Sequence, residues 1–547
     1  MSTTTTSTIT QADCGAIELD SIAPLAPIAQ RTSLRTLSNI EPLTETVILP
    51  DALANTPATP AISKWKATLI ISTVASVSLI ANLAGGILIV ALPTMAKDIG
   101  LQDDLLLWPA SVFALSCGCT LLLSGSIADV VGARKIYLSG ALLLASSTIA
   151  TGLSRTGIEL IIFRAVQGLA LSLTLPAAVI LVTSNIAEGT GRNIAFAALG
   201  ASQPLGFACG LVLGGVFAQS IGWRWGFYIG GILTFAVSVV SYFGIPGDAV
   251  ANSQSASRIL QRLRAEIDWT GISILSTCLG LLSYVLSVLS NGASHFLAPV
   301  PLTLFSIAIL LLPVFGFYSR RQERLERKVV IPPSIWNNRV FTCLCITIFI
   351  VFGIFDVMLF FLTLYFQSVQ NLSTLHTSIR FLPLAATGLL TNFLTGWLVK
   401  RTRADVLILC STALASLSPL LMAIIKPEWS YWACAFIAVS STPACVDVLF
   451  TVANLVITQA FPPKTHGLAG GVFNTISFIG NSFALAITAV IASSVTMAEK
   501  GKHESTQEML MDGYRVTFWV CFGASIAALA VILFGLRNIG KVGLKQE

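Results

Sequence analysis

Three ionisable side chains stand inside long apolar runs, where a charge is costly: Arg164, Asp356 and Asp447. Each aspartate lies near the middle of its run. At ~1.5 Å of rise per helical residue, neither reaches a membrane interface easily. A carboxyl so placed either holds and releases a proton as its surroundings change, or pairs structurally with a neighbouring helix. Thr451 and Asn454, one and two turns along from Asp447, make that acid the stronger proton candidate. Arg164 sits about one turn from the end of its run, and either snorkels to the interface or faces a cavity. A further cluster, Gly125-Ser126-Ile127-Ala128-Asp129-Val130-Val131-Gly132-Ala133-Arg134-Lys135, separates two apolar runs. Its glycines permit a close turn. Asp129 is expected just past one helix end, where a carboxylate can accept hydrogen bonds from a neighbouring helix N-terminus.

The elements that must position these groups are membrane helices. Of 547 residues, 54% are hydrophobic and only 11% charged, against about a quarter charged in soluble domains. Many apolar runs reach the ~20 residues that cross a bilayer, and the short alternating segments of a barrel are absent. The sequence predicts an all-α polytopic membrane protein with fourteen spans, near 67–93, 105–126, 136–153, 159–184, 194–218, 225–245, 269–289, 300–317, 341–366, 375–398, 405–425, 431–459, 467–494 and 514–536. Basic residues favour one side of this topology about three to one, which predicts both termini in the cytosol. The expected organisation is a disordered cytosolic tail (1–63), a six-helix bundle (64–246), a cytosolic loop (247–268), two inserted spans (269–318), a basic cytosolic loop (319–340), a second six-helix bundle (341–537) and a cytosolic tail (538–547).

Other chemistries are excluded or left without a motif. No P-loop is present, so the chain does not hydrolyse ATP by that route. The four His are isolated, and neither a catalytic triad, a cofactor motif nor a metal cluster can be picked out. Cys117, Cys119, Cys343 and Cys345 lie in apolar runs without His neighbours and read as small core residues. The net charge of +6 comes mainly from short loops on one side and calls for no nucleic acid. Within 247–268, Ile259, Leu263 and Ile267 share one helical face and Arg258, Arg262 and Glu266 another, as in a helix on a membrane surface; a solvated linker is the alternative. The basic run Arg320 to Lys328 is expected at the inner leaflet. The sequon at Asn371 falls on a very short external loop.

The loop's order of Gly125, Asp129, Gly132, Arg134 and Lys135 resembles the G-x-L-A-D-x-x-G-R-K/R loop of the major facilitator superfamily, with Ala133 in place of the family's first Arg. The resemblance implies a cytoplasmic latch that steadies one of two transport states. Arg164, Gln167 and Gly168 match the family's R-x-x-Q-G, whose Arg faces the central cavity and influences proton movement. Gly206, Gly210, Gly214 and Gly215 form a small-residue seam resembling the antiporter motif G-x-x-x-G-P-x-x-G-G, though Leu211 replaces the usual Pro and the spacing to the glycine pair differs by one. Ala91-Leu92-Pro93 and Gly222-Trp223-Arg224-Trp225-Gly226-Phe227-Tyr228 resemble signatures of the fourteen-spanner drug:proton antiporters, with Ala84 and Gly230 as departures. Gly467 to Asn474 is similar to the fungal aminotriazole-resistance-like branch. Gly396 to Arg403 looks like a second copy of the latch without its Asp.

The resemblance implies two six-helix repeats plus two inserted spans, and a monomeric, proton-coupled exporter of small organic compounds in the cell membrane, the vacuolar membrane being the alternative. A porter for siderophores, basic amino acids or borate, and a non-transporting receptor or enzyme, are the competing readings. The intact charged loop argues against the last, since a sensor has less need of a latch.

Overall fold

A computed structural model describes residues 63–102, 105–187, 189–247, 256–290, 298–399, 401–460, 466–499 and 505–537. The expected tails 1–63 and 538–547 lie outside the described residues, apart from Ser63. Among the described residues the regular structure is helical throughout. In chain order the helices are α1 (Lys64–Ile99), α2 (Trp108–Val131), α3 (Ala133–Leu153), α4 (Gly157–Asn185), α5 (Thr190–Gln219), α6 (Trp223–Gly244), α7 (Ala256–Glu266), α8 (Trp269–Ser290), α9 (Pro299–Arg324), α10 (Arg339–Leu364), α11 (Thr374–Arg380), α12 (Leu382–Leu398), α13 (Ala404–Ile424), α14 (Ala435–Ser441), α15 (Ala444–Ala460), α16 (His466–Ala498) and α17 (Thr506–Gly535). Thirteen described segments are long and apolar enough to cross a membrane; α8, the remaining expected span, carries a shorter apolar stretch, Trp269–Leu282. Large apolar side chains stand outward on these helices, with Phe243 81% and Phe534 77% exposed. That surface suits lipid, since water would leave it uncompensated.

Local chemistry sets the helix ends. Thr156 caps α4 by accepting from Glu159 N, while Glu159 Oε2 accepts from Arg155 N at 2.8 Å, satisfying two free donors reciprocally. Asn338 caps α10 through Phe341 N at 3.1 Å. Prolines divide two spans that hydropathy reads as continuous, and a special turn ends a third. The span at 431–459 breaks between α14 and α15 at Thr442-Pro443, since Pro443 has no N–H to donate. The span at 341–366 ends in a π-helical turn, Tyr365–Val369. The span at 375–398 is two pieces, α11 and α12, separated at Phe381 just before Pro383.

Helices α1 to α6 pack among themselves, with α1 against α5 and α6, α2 against α4, and α3 between α4 and α6. Helices α10 to α17 form a second set in which α10 lies against α16 and α17, α13 against α17, and α12 against α15. Between them in sequence, α8 and α9 pair as a hairpin, and α8 lies against both α2 and α16. Ser276 Oγ donates to Cys119 O at 3.1 Å, fixing α8 on α2.

Candidate functional site

Arg164 is buried on α4, 2% exposed. Its Nε donates to Pro109 O at 3.1 Å, its guanidinium donates to Gln167 Oε1 at 2.7 Å, and its Cζ lies 4.3 Å from the Phe113 ring centre. Gln167 Nε2 in turn donates to Thr148 Oγ1 at 3.0 Å. The cation is therefore held among α2, α3 and α4 by neutral acceptors and an aromatic face. It is not snorkelling, and among the described residues no carboxylate pairs with it. Gly168 explains the tight fit: a Cβ there would meet the Phe113 carbonyl and the Ser116 hydroxyl of α2.

Asp447 lies in the first turn of α15, its N–H donating to Pro443 O. The break before it aims the side chain at α12. Asp447 Oδ2 is buried without a hydrogen bond, 3.4 Å from where a Gly388 Cβ would stand, and Asn392 flanks the carboxyl. Asn454, expected as the polar neighbour, instead donates to Phe450 O of its own helix at 2.8 Å. Asn392 was not found from the sequence; the signal was a lone amide in the apolar run 382–398. Asp356 is half-buried on α10 and makes no hydrogen bond or ion pair among the described residues. It shares a helical face with Phe349 and Gly353, and Gly353 meets Gly480 and Ala484 of α16. A crevice of about 20 Å³, room for about one water, lies between Thr412, Ser418, Thr442, Cys445 and Ser525 in the second helix set. The fold thus joins Arg164 to Gln167, and among the described residues neither aspartate touches that pair.

The two helix sets pack together along α2 and α16, and they meet again at the end of the bundle where α1 finishes. Thr94 Oγ1 and Thr374 Oγ1 are 2.9 Å apart, Gln367 Nε2 donates to Val90 O at 2.8 Å, and Ser378 Oγ donates to Leu211 O at 2.6 Å. Gly206, Gly210 and Gly214 face α1, with a Gly214 Cβ position only 2.9 Å from Ile87 Cα; Gly215 faces Ser378 and Thr374 of α11 instead. The contacts of Gly206, Gly210 and Gly214 are with backbone atoms that no rotamer change could move, so the seam needs glycine at these three positions. Asn371 is exposed at the nearby tight turn, φ 53°.

The charged cluster is tighter than a loop. Helix α2 continues through Asp129 to Val131, so Asp129 lies within its last turn, not beyond it. The run Ile127 to Val131 holds no breaker, and Gly132 alone makes the junction, with φ 106° and its N–H donating to Ala128 O at 3.0 Å. The charged groups around Asp129 are Lys328 and Glu266, from the segments flanking the inserted hairpin. Arg134 caps the end of α6 by donating to Tyr242 O and lying over the Tyr242 ring. Lys135 is exposed. In the second copy, Arg403 forms a two-point pair with Asp405, so the missing acid has a counterpart on the other side of the turn.

A model of the Major Facilitator Superfamily matches residues 74–485. The chain belongs to the major facilitator superfamily. Among curated relatives it is 39% identical over 524 residues to MFS-type transporter 1 of Pyricularia oryzae, covering 88% of this chain and 85% of that one. It is 24% identical over 488 residues to the aminotriazole resistance protein of Saccharomyces cerevisiae, covering 87% and 84%. A solved bacterial homolog of the human lysosomal transporter Spinster, inward-facing and occupied, shares the fold with a TM-score of 0.58 at 14% identity, covering 87% of this chain and 98% of that one. The expected superfamily, its drug-resistance-like branch and the all-helical fold therefore hold. A major facilitator is a multi-pass membrane transporter of small molecules, and the family is one of transporters, not enzymes.

Proposed function

We propose that this major facilitator exports small organic compounds in exchange for protons, with the helix sets 64–246 and 341–537 rocking about a midplane site. The observation that carries the reading is Asp447, whose Oδ2 is buried without a hydrogen bond. Leaving a buried acceptor unmade costs about 1–3 kcal/mol, and more when it is charged. Protonation gives that carboxyl a donor of its own, and the Asn392 amide beside it can accept from the acid or donate to the anion. Substrate and proton can then alternate at one place. The contacts from Thr94 to Ser378 close the bundle end opposite the latch, which supports a state open or occluded toward the latch side. The resistance function in one relative's name supports export. The reading places a monomer in the cell membrane with both termini cytosolic. Cells lacking the chain, exposed to a panel of amphipathic compounds, should accumulate at least one of them, and restoring the chain should lower the internal level. Unchanged accumulation across the panel in cells shown to express the protein counts against export.

The same reading makes Asp129 a latch residue. The Asp129→Asn protein is expected in the membrane at normal abundance but with export slowed several-fold. The loss should exceed that of Arg403→Gln, because Arg403 is occupied locally by Asp405. Equal losses, or normal export by Asp129→Asn, would remove this loop from the mechanism.

A further inference from the structure

Helix α9 carries a stripe that changes character at one end. Leu310, Val314, Phe317, Arg321 and Arg324 follow one another at spacings of four, three, four and three, so they lie along one face. All five are exposed, Phe317 by 73%. The apolar part continues into a groove lined by Phe305, Ser306, Ile309, Leu310 and Pro313. Helix α7 stands beside the basic end. Tyr318 Oη donates to Asp268 Oδ1 at 2.7 Å, tying the end of α9 to the α7–α8 junction, which Trp269 Nε1 itself closes by donating to Leu263 O at 3.0 Å. The apolar face of α7, expected to sink into lipid, is turned to protein: Ile267 is buried, Ile259 and Leu263 are half-buried, and the helix packs on α2. Its cations Arg258 and Arg264 point outward.

The local acids do not neutralise this surface. Residues 256–268 and 317–328 hold eight Lys or Arg against four Asp or Glu. Glu266 is engaged by Arg262, which holds its carboxyl below the usual range. Asp268 accepts from Gly271 N and Tyr318, and Glu323 from Ser334 N. Arg258, Arg264, Arg321 and Arg324 make no ion pair among the described residues. An apolar groove running into an arginine cluster on an outward helix face matches one kind of molecule, an amphiphile with an anionic head.

We propose that α9 and α7 form a binding surface for an anionic phospholipid, with its phosphate on Arg321 and Arg324 and its acyl chain along Leu310, Val314 and Phe317. The site adjoins the latch, since α7 packs on α2, the helix that ends in Asp129 and Gly132. Native mass spectrometry of the full-length protein, offered equal phosphatidylserine and phosphatidylcholine, should show phosphatidylserine retained about fivefold or more over phosphatidylcholine, the factor one basic residue sets near an anionic surface. Arg321→Gln with Arg324→Gln should bring the ratio near one, whereas Arg321→Lys with Arg324→Lys keeps most of it. Should the Gln pair fail to fold, Arg258→Gln with Arg264→Gln should still lower the ratio by a smaller factor. Excess inorganic phosphate should leave the bound lipid in place. An unchanged ratio in a folded Gln variant, or displacement of the lipid by phosphate alone, overturns the proposal.

Discussion

Flux through the Asp447→Asn protein is expected to stop responding to an imposed pH gradient, while substrate binding survives. Asn fills the volume of Asp and can still exchange hydrogen bonds with Asn392, so the contact between α15 and α12 is kept. What it loses is the ability to take up and release a proton. Coupling between two ligands is typically 1–3 kcal/mol, so the effect of pH on substrate affinity should shrink by about 5- to 150-fold. A purely structural role for Asp447 predicts another pattern, a lowered melting temperature with the pH response intact. Vesicle transport at matched protein levels, with and without the gradient, separates the two. Full pH-driven flux in Asp447→Asn would move the proton role to Asp356 or elsewhere.

The second large effect is mechanical. Thr94→Cys combined with Thr374→Cys should let a short thiol cross-linker join α1 to α11, since the two native hydroxyls are 2.9 Å apart. If the halves must separate at this end in every cycle, cross-linking should abolish turnover and reduction should restore it. The exposed Cys209 and Cys410 would first be replaced by Ser. Each single variant should transport normally. Undiminished turnover by the fully cross-linked protein would show that this end need not open.

Hydropathy made the fold legible because a bilayer demands long apolar helices, and each expected span meets a helix within several residues. It could not show where a continuous apolar run breaks, because Pro443 and the π-helical turn after Leu364 change backbone bonding without changing polarity. Arg164 with Gln167 was readable as an i, i+3 pair on one face, and the structure joins them. Asn392, Asp405 and Lys328 were not readable as partners of the site, since each meets its neighbour only through a tertiary contact or across a turn. A charged residue between apolar runs suggests a loop at Asp129, whereas the helix ends only where Gly132 adopts positive φ.

Proton-coupled export is tested most directly with the unaltered protein in sealed vesicles, using a compound identified from the accumulation panel and a dye for internal pH. With a pH gradient imposed across the membrane, the compound should move against its own gradient. The internal pH should change in step, and a protonophore should stop both. Equal movement of the compound with the gradient collapsed, and no pH change accompanying it, would contradict the account.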